Sequence, residues 1–375
     1  MEEYVKTKNV EFNIYTTYKC NLRCTYCCRE AQEGIHERSS KIEWTLDDIE
    51  KFTDTYFKNK HIYITWNGGE PAINAALIEK CMRRFPQWEY QMQTNATLLH
   101  LLPDYVVQNL KNLLCSNDGL EVHTDRYRGK GVFKTILEEI KKIKQRGYKG
   151  TVTSRMTFVT DDIKGNDVLR LITEYGYDMV FWQLPDDNLN LLNEKYMDNA
   201  KQFFKDIVDI WFAHKTLLRF IPVMGAIRNI MWPDRTAEDY LGKTQCRVSE
   251  NIMNLMPSGD IYPCPQLTDK PKLFMGNIIK NVFYPSQLQR MEGIDCFDCS
   301  VFDICRTRCM YQKYKVYVEK NDYEKQIMEK HCELAKYFLN YIKQQDCNKK
   351  IASLTDSEVA ELKNNNYYKY VELMM

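Results

Sequence analysis

The sequence lacks the features of secreted, membrane-spanning and nucleic-acid-binding proteins. Its N-terminus carries charges and no apolar core of a signal peptide. Its most apolar region, residues 207–232, is interrupted by Asp209, Lys215 and Arg219, so it has no run of the roughly 18 apolar residues that a span needs. With 52 Lys and Arg against 51 Asp and Glu, no excess positive charge attracts nucleic acid or anionic lipid. We therefore expect a cytoplasmic protein that binds neither nucleic acid nor membrane.

Histidine is scarce, and none of the six histidines lies in a paired metal-ligand spacing. Cysteine is abundant. Fourteen cysteines in a chain without an export signal do not predict disulfides, because the cytosol keeps thiols reduced. Four cluster between Cys20 and Cys28, and eight lie between Cys246 and Cys347. The sequence therefore predicts two regions of metal or redox chemistry.

Strand and helix patterns alternate through the first half of the chain. Strands are predicted over residues 11–16, 61–66, 89–94, 112–116, 151–159 and 178–183. Helices, with apolar residues three and four apart, are predicted near 46–58, 74–84, 103–110, 133–146 and 162–175. This alternation predicts an α/β fold with a parallel sheet, a partial (β/α)6 TIM-like barrel with its functional residues at the carboxyl ends of the strands.

The second half has a different pattern. A long amphipathic helix is predicted over 193–214 and another near 322–346. Pro257, Ser258 and Gly259 predict the turn of a hairpin, and Thr355 with Glu358 predicts the capping box of a last short helix. Residues 246–309 have no periodicity and many cysteines. We divide the chain into four segments, residues 1–215, 216–245, 246–347 and 348–375. The last segment contains Tyr367, Tyr368 and Tyr370, and its role is open.

Three cysteines, Cys20, Cys24 and Cys27, directly follow the first predicted strand. Three thiolates on one short loop can hold three irons of a cubane cluster and leave the fourth iron open to a substrate or cofactor. A zinc site is the alternative, but structural zinc prefers four ligands in paired spacings. The Cys-x3-Cys-x2-Cys pattern, with Tyr26 before its last cysteine, resembles the signature of the radical S-adenosylmethionine (SAM) superfamily. We place Cys28 outside the motif.

Other segments resemble this superfamily in the same order. The resemblance implies that Gly68, Gly69 and Glu70, in a GGEP sequence, bind the amino group of SAM. QTNATL at 93–98 resembles the family's QTNGTL and supplies Gln93 and Asn95, with Ala96 in place of the usual glycine. Further SAM contacts implied by the family are Tyr26 and Leu184 at the adenine, Ser116 and Arg128 at the ribose and carboxylate, and Arg155. A surface salt bridge is the alternative for Arg128.

The later cysteines resemble the seven-cysteine pattern of the SPASM domain. Its members here are Cys246, Cys264, Cys296, Cys299, Cys305, Cys309 and Cys332. The resemblance implies an auxiliary 4Fe-4S cluster on Cys296, Cys299, Cys305 and Cys332, and three ligands of another in Cys246, Cys264 and Cys309. The fourth ligand of that second cluster is undetermined. The alternatives are an iron left open, a non-cysteine ligand such as Asp, the remote Cys347, and loss of the cluster altogether. A zinc knuckle is the alternative for the whole set.

The resemblance implies an oxidoreductase or maturase. One electron enters the first cluster, SAM is cleaved to methionine and a 5'-deoxyadenosyl radical, and that radical removes a hydrogen from an unactivated carbon. SPASM relatives mostly modify ribosomally made peptides or protein side chains, by oxidation or by a thioether or carbon crosslink, and this is our leading hypothesis. Pro265 occupies the position at which sulfatase-maturating relatives have an aspartate that acts as the general base. Its presence disfavours formylglycine formation and leaves the general base of this protein unknown.

Two other functions stay open: a SPASM-type dehydrogenase of a small molecule, and a non-catalytic metal-binding module. The implied electron donor is flavodoxin or ferredoxin. Because the cluster motif begins at residue 20, we expect no N-terminal leader-binding domain, so leader recognition would use a separate protein or the core.

Overall fold

The computed structural model describes residues 8–27, 40–158, 162–185, 189–233, 251–268, 270–284, 296, 298–305 and 309–364. The chain forms two compact units. The first unit comprises Met1–Asn117, Glu121–Thr153 and Val248–Gln289, and the second comprises Asp118–Leu120, Ser154–Arg247 and Arg290–Met375. The domain boundaries given above remain a prediction.

The strands are β1 (Asn9–Tyr15), β2 (His61–Asn67), β3 (Glu89–Thr94), β4 (Asn112–Ser116), β5 (Thr151–Thr157), β6 (Met179–Gln183), β7 (Ile252–Leu255), β8 (Asp260–Tyr262), β9 (Gly276–Asn277) and β10 (Val282–Phe283). In the first unit their order is β10-β9-β8-β7-β1-β2-β3-β4. The pairs β7–β1, β1–β2, β2–β3 and β3–β4 are parallel, whereas β7–β8, β8–β9 and β9–β10 are antiparallel. Strand β5 begins in the first unit and ends in the second.

The helices of the first unit are α1 (Leu46–Tyr56), α2 (Ala75–Arg84), α3 (Asp104–Asn109), α4 (Glu121–Arg128) and α5 (Val132–Gln145), with short 3-10 turns at Pro71–Asn74, Leu99–Leu101, Pro265–Leu267 and Pro271–Leu273. Residues alternate along β1, so Val10, Phe12 and Ile14 share one face and all are fully buried. The Phe12 ring lies 6.4 Å from the Phe52 ring of α1. Apolar packing of α1 against the sheet therefore leaves the other face of β1 for polar residues.

The second unit contains β6 and the helices α6 (Gly165–Thr173), α7 (Glu194–Ala213), α8 (Ile221–Met231), α9 (Phe302–Cys305), α10 (Met310–Lys313), α11 (Asp322–Lys343), α12 (Cys347–Ala352) and α13 (Asp356–Asn364), a 3-10 turn at Leu189–Leu192, and a π-helical turn at Tyr314–Val318. Helices α7 and α11 pack together, with the Phe204 and Phe338 rings 5.4 Å apart. Lys201 and Glu333 form an ion pair of 2.7 Å at the margin of this contact.

The predicted α/β class with a mainly parallel sheet is confirmed, and the six predicted strands and the alternating helices are present. Thr355 and Glu358 form the predicted capping box at α13, and the predicted hairpin is β7–β8, with Gly259 at φ +85° in its turn. The pairing of β7 with the free edge of β1 was not predicted. No helix within the described ranges is both long and apolar enough to cross a membrane.

Candidate active site

The loop after β1 carries Cys20 and is joined by backbone hydrogen bonds to the GGEP turn after β2. The Thr17 carbonyl accepts from the Gly69 amide at 2.8 Å, and the Lys19 carbonyl accepts from the Glu70 amide at 2.8 Å. These bonds continue the β1–β2 pairing beyond the strand ends. The first predicted cluster ligand and the predicted SAM-binding carboxylate are thereby fixed relative to each other.

Only glycine fits the two central positions of the GGEP turn. A Cβ atom on Gly68 would lie 2.4 Å from the Thr17 carbonyl oxygen, and one on Gly69 would lie 2.2 Å from the Lys19 carbonyl oxygen. Real Cβ atoms essentially never approach another atom within 3.0 Å. The two glycines therefore allow the turn to contact the cysteine loop, backbone to backbone.

Glu70 is fully buried directly after these glycines. One carboxylate oxygen accepts from the Thr94 hydroxyl at 2.7 Å and the Ala72 amide at 3.1 Å, and the other accepts from the Asn95 amide at 2.7 Å. Burial raises the pKa of Glu70 to about 7, although these three hydrogen bonds act in the opposite direction. The carboxylate is thus rigidly held and changes charge near neutral pH.

Asn95 connects Glu70 to the cysteine loop. Its side-chain amide donates to the Asn21 side chain at 2.8 Å and to Cys20 Sγ at 3.6 Å. Its side-chain oxygen accepts from the Thr97 amide at 2.9 Å. The backbone at Ala96 is left-handed, with φ +58°, a conformation that favours glycine.

Arg128 lies at the end of α4 and is only 8% exposed, so the alternative of a surface residue is wrong. Its guanidinium is 4.0 Å from Cys24 Sγ and lies over the Tyr26 ring, 5.4 Å from the centroid. The neighbouring Tyr127 carbonyl accepts from the Thr25 amide at 3.0 Å. Helix α4 therefore holds a buried cation against the middle of the cysteine loop.

The sulfurs of the loop have nitrogen donors around them. Cys20 Sγ accepts from the Leu22 amide at 3.4 Å as well as from Asn95, and Cys24 Sγ lies beside Arg128. Donors of this kind stabilise a thiolate and the negative charge of a metal–thiolate cluster. The donor set therefore fits a cluster bound through ionised cysteines.

The remaining predicted SAM contacts are divided between the units. Gln93 on β3 and Ser116 at the end of β4 are half-buried in the first unit. In the second unit, Arg155 donates to Gln183 at 2.7 Å, and its guanidinium lies 5.0 Å from the Phe181 ring centroid. Leu184 follows β6 and is 3% exposed. Their predicted roles at SAM remain predictions.

A second buried carboxylate lies in the first unit, on the polar face of β1. Glu11 accepts from the Thr65 hydroxyl and from the Gln91 amide, the latter at 3.3 Å, and Gln91 in turn accepts from Asn112 at 3.4 Å. The other oxygen of Glu11 has no hydrogen-bond partner among the described residues. Burial raises the pKa of Glu11 to about 7. One face of four neighbouring strands thus carries a continuous polar row, where ordinary barrels have branched apolar side chains.

Five predicted auxiliary-cluster ligands lie in the second unit and are half-buried: Cys296, Cys299, Cys305, Cys309 and Cys332. Four of these cysteines neighbour the ammonium group of Lys313, which is 3% exposed. Lys313 hydrogen-bonds Cys296 and interacts electrostatically with Cys305, Cys309 and Cys332. Burial lowers the pKa of Lys313, and the neighbouring cysteines oppose this shift.

Two of the remaining cysteine predictions lie outside the described residues, namely Cys28 and Cys246. Cys264 is half-buried in the first unit, at the start of the Pro265–Leu267 turn. Within the described ranges, no three Cys, His, Asp or Glu side chains converge on one metal-ion position. A cubane does not require such convergence, because each of its thiolates binds a different iron.

Three residues that contribute to these sites were not predicted: Asn21, Lys313 and Glu11. Asn21 lies inside the cysteine motif, and its position there was the available signal. Lys313 follows Cys309 by four residues, which places both on one face of a helix. Glu11 is a charged residue at a position of a predicted strand that the structure buries, and the alternation of β1 was the signal for it.

The chain is similar in sequence and in fold to known proteins. Residues 14–180 match the profile of the Radical SAM superfamily. This part of the chain is therefore a Radical SAM domain. It is 20% identical over 317 residues to the mycofactocin maturase MftC of Mycolicibacterium smegmatis, covering 80% of this chain and 77% of that protein.

Two solved structures share the fold. The first, anSMEcpe with bound AdoMet, has a TM-score of 0.68 at 16% identity, covering 96% of this chain and 99% of that one. The second, Streptococcus suis SuiB bound to S-adenosylmethionine, has a TM-score of 0.52 at 16% identity, covering 84% and 74%. At these identities the likeness concerns the fold.

Proposed function

We propose that this enzyme binds SAM at a 4Fe-4S cluster held by Cys20, Cys24 and Cys27 and abstracts hydrogen from a side chain of a ribosomally made peptide or protein. The product would be an oxidised residue or a thioether or carbon crosslink. When bound, SAM and the cluster supply a 5'-deoxyadenosyl radical, an oxidant strong enough to attack an unactivated carbon.

The observation that carries this proposal is the bridge made by Asn95. Its backbone amide binds the Glu70 carboxylate at 2.7 Å, and its side chain reaches Cys20 Sγ at 3.6 Å. One residue therefore joins the group that would accept the SAM ammonium to the sulfur that would bind iron. A ligand that bridges a cluster iron and a carboxylate needs this fixed spacing.

The residues of the chain have distinct tasks in this proposal. Glu70, when ionised, accepts hydrogen bonds from the ammonium of SAM. Arg128 and Asn95 place donors beside the sulfurs, which favours a bound cluster with its negative charge. Tyr26, held under the Arg128 guanidinium, would cover one side of the nucleoside and limit the access of water.

A peptide substrate is supported by relatives and by the polar row. The name of MftC identifies it as a maturase, and solved structures include anSMEcpe with a Cp18Cys peptide and SuiB with its precursor peptide SuiA. The polar row from Glu11 to Asn112 offers carboxylate and amide groups. Such groups pair with peptide amides, whereas an apolar interior would not.

We further propose an auxiliary 4Fe-4S cluster on Cys296, Cys299, Cys305 and Cys332. The chemistry of the site supports it, because a buried ammonium among thiols needs a negative partner, and Lys313 is buried there. Such a cluster could accept the electron that an oxidised substrate gives up.

The proposal is tested by anaerobic reconstitution of the full chain, followed by incubation with SAM, dithionite and short peptides encoded beside its gene. We expect 5'-deoxyadenosine to form and one peptide to lose about two mass units, with deuterium moving from peptide into 5'-deoxyadenosine. Cys27→Ala should abolish SAM cleavage. Cys81→Ala, which changes a fully buried cysteine in α2, is the matched control and should retain it.

Two outcomes would contradict the proposal at different levels. If Cys27→Ala cleaves SAM as well as the parent enzyme, the cluster assignment is wrong. If SAM is cleaved and a small metabolite rather than any peptide acquires the label, the dehydrogenase alternative is correct and the peptide assignment is wrong.

A further inference from the structure

Lys313 occupies an unusual position for a lysine. It is the last residue of α10 and is 3% exposed, although a buried ammonium is costly unless it is paired. Its amide donates to the Cys309 carbonyl at 3.3 Å, and the π-helical turn Tyr314–Val318 begins immediately after it. Such turns often mark functional positions in helices.

The groups around the Lys313 ammonium are predicted cluster ligands. It hydrogen-bonds Cys296 and also faces Cys305, Cys332 and Cys309. The first three belong to one predicted auxiliary cluster, and Cys309 belongs to the other. Among the described residues, the charged groups that influence Lys313 are these four cysteines.

We propose that Lys313 is the charge-compensating residue of the auxiliary clusters, one that raises the reduction potential of the cluster on Cys296, Cys299, Cys305 and Cys332. A cubane bound by four thiolates would be anionic, and its one-electron reduction would add one negative charge beside the Lys313 ammonium. A buried cation hydrogen-bonded to a ligand sulfur, as Lys313 is to Cys296, would stabilise the reduced state more than the oxidised state. The cluster would then be a better acceptor for an electron that leaves the substrate.

This inference rests on the proposed auxiliary cluster, and its test separates the two. The test uses the full chain with Cys20, Cys24 and Cys27 replaced by Ala, so that only auxiliary clusters remain. In this background, Lys313→Met removes the charge with a side chain of similar length, and Lys313→Gln removes the charge but keeps a donor. Lys325→Met, at an exposed position of α11, is the matched control for loss of one positive charge.

The measurement is a redox titration followed by electron paramagnetic resonance, with iron and sulfide content determined for each variant. At a fixed potential we expect Lys313→Met to lower the ratio of reduced to oxidised cluster at least tenfold, which corresponds to ~59 mV for a one-electron couple. Lys313→Gln should also lower the ratio of reduced to oxidised cluster, and Lys325→Met should leave it unchanged. Without iron, Lys313→Met should unfold at an equal or higher temperature than its parent, because a buried charge is removed.

Each contrary result has one meaning. Full iron content in Lys313→Met with an unchanged ratio would overturn the role of Lys313 while leaving the cluster intact. A parent chain that binds no iron after loss of the first three cysteines would overturn the auxiliary cluster and, with it, this inference. Loss of iron from folded Lys313→Met and Lys313→Gln, but not from Lys325→Met, would support charge compensation directly.

Discussion

The two cysteine regions provide for negative charge in different ways. In the first unit, the loop of Cys20, Cys24 and Cys27 is surrounded by backbone and side-chain amides, and its nearby cation, Arg128, lies over an aromatic ring. In the second unit, four cysteines neighbour one buried lysine, Lys313. The first arrangement has a carboxylate, Glu70, fixed beside it, whereas among the described residues no carboxylate is one of the groups that influence Lys313.

This difference indicates a division of tasks. Under the proposed function, the first site binds a cationic ligand and would need an anion next to its cluster, which Glu70 would supply. A site that only stores and passes electrons needs a compensated, enclosed cluster.

The largest effect is expected for Gly69→Ala, which should remove the first cluster and leave the second unit intact. The added Cβ would lie 2.2 Å from the Lys19 carbonyl, so the cysteine loop must move away from the GGEP turn. Iron content after reconstitution should fall by about one cubane, with SAM cleavage lost. Gly131→Ala is the control, because Gly131 also has a positive φ, +80°, but no atom lies within 4 Å of the new Cβ. This variant should retain the iron content and SAM cleavage. Loss of all iron from Gly69→Ala would show that the regions are not independent.

Glu70→Gln should weaken SAM binding at least a hundredfold, or ~3 kcal/mol. The neutral amide cannot pair with an ammonium, and its N–H groups would face the donors of Thr94 and Asn95. Equilibrium dialysis with labelled SAM measures the change. Glu11→Gln, the other buried glutamate with a raised pKa, is the control and should bind SAM normally. Equal losses in both variants would contradict the specific role of Glu70.

SAM affinity of the parent enzyme should rise as pH increases from about 6 to 8. The pKa of Glu70 is raised to about 7, so the carboxylate that receives the ammonium becomes fully ionised only above that value. Dialysis at several pH values measures the slope, which should disappear in Glu70→Gln. An affinity that falls over this range would contradict ammonium binding by Glu70.

Glu11→Gln should stabilise the cluster-free chain at alkaline pH. Because the folded-state pKa is raised from 4.5 to about 7, the folded chain binds more protons between these values, so stability falls as pH rises toward 7. The stabilising effect of Glu11→Gln should therefore grow by about 2 kcal/mol between pH 5 and pH 8. Urea unfolding at both values measures it. An equal difference in unfolding free energy between Glu11→Gln and the parent at the two pH values would show that Glu11 is ionised in the folded chain without penalty.

The smallest effect is expected for Ala96→Gly. Ala96 has φ +58°, a conformation that costs an L-residue ~1–2 kcal/mol, and the greater freedom of unfolded glycine offsets part of the gain. We expect a net stabilisation of up to ~1 kcal/mol by urea unfolding, with unchanged SAM affinity. A loss of stability would show that the Ala96 methyl group contributes packing greater than the strain.

The sequence predicted the parallel core because its signals are local. Alternation of apolar residues along β1 and the helical periodicity of α5 are properties of neighbouring residues. The pairing of β7 with β1 joins Glu11 to Ile252, and no local pattern specifies such a partner. In the site, the motif residues were predicted by resemblance, whereas Asn21 and Lys313 were missed because their roles depend on tertiary contacts.

The position of β1 between β2 and β7 has a consequence for synthesis. Translation delivers the N-terminal strands long before Ile252–Leu255 leaves the ribosome, so until then one edge of β1 has unpaired amide and carbonyl groups. A nascent or truncated chain that stops before this hairpin would expose a strand edge prone to self-association. Completion of the sheet, and with it a stable platform for the cysteine loop, must wait for the later part of the polypeptide.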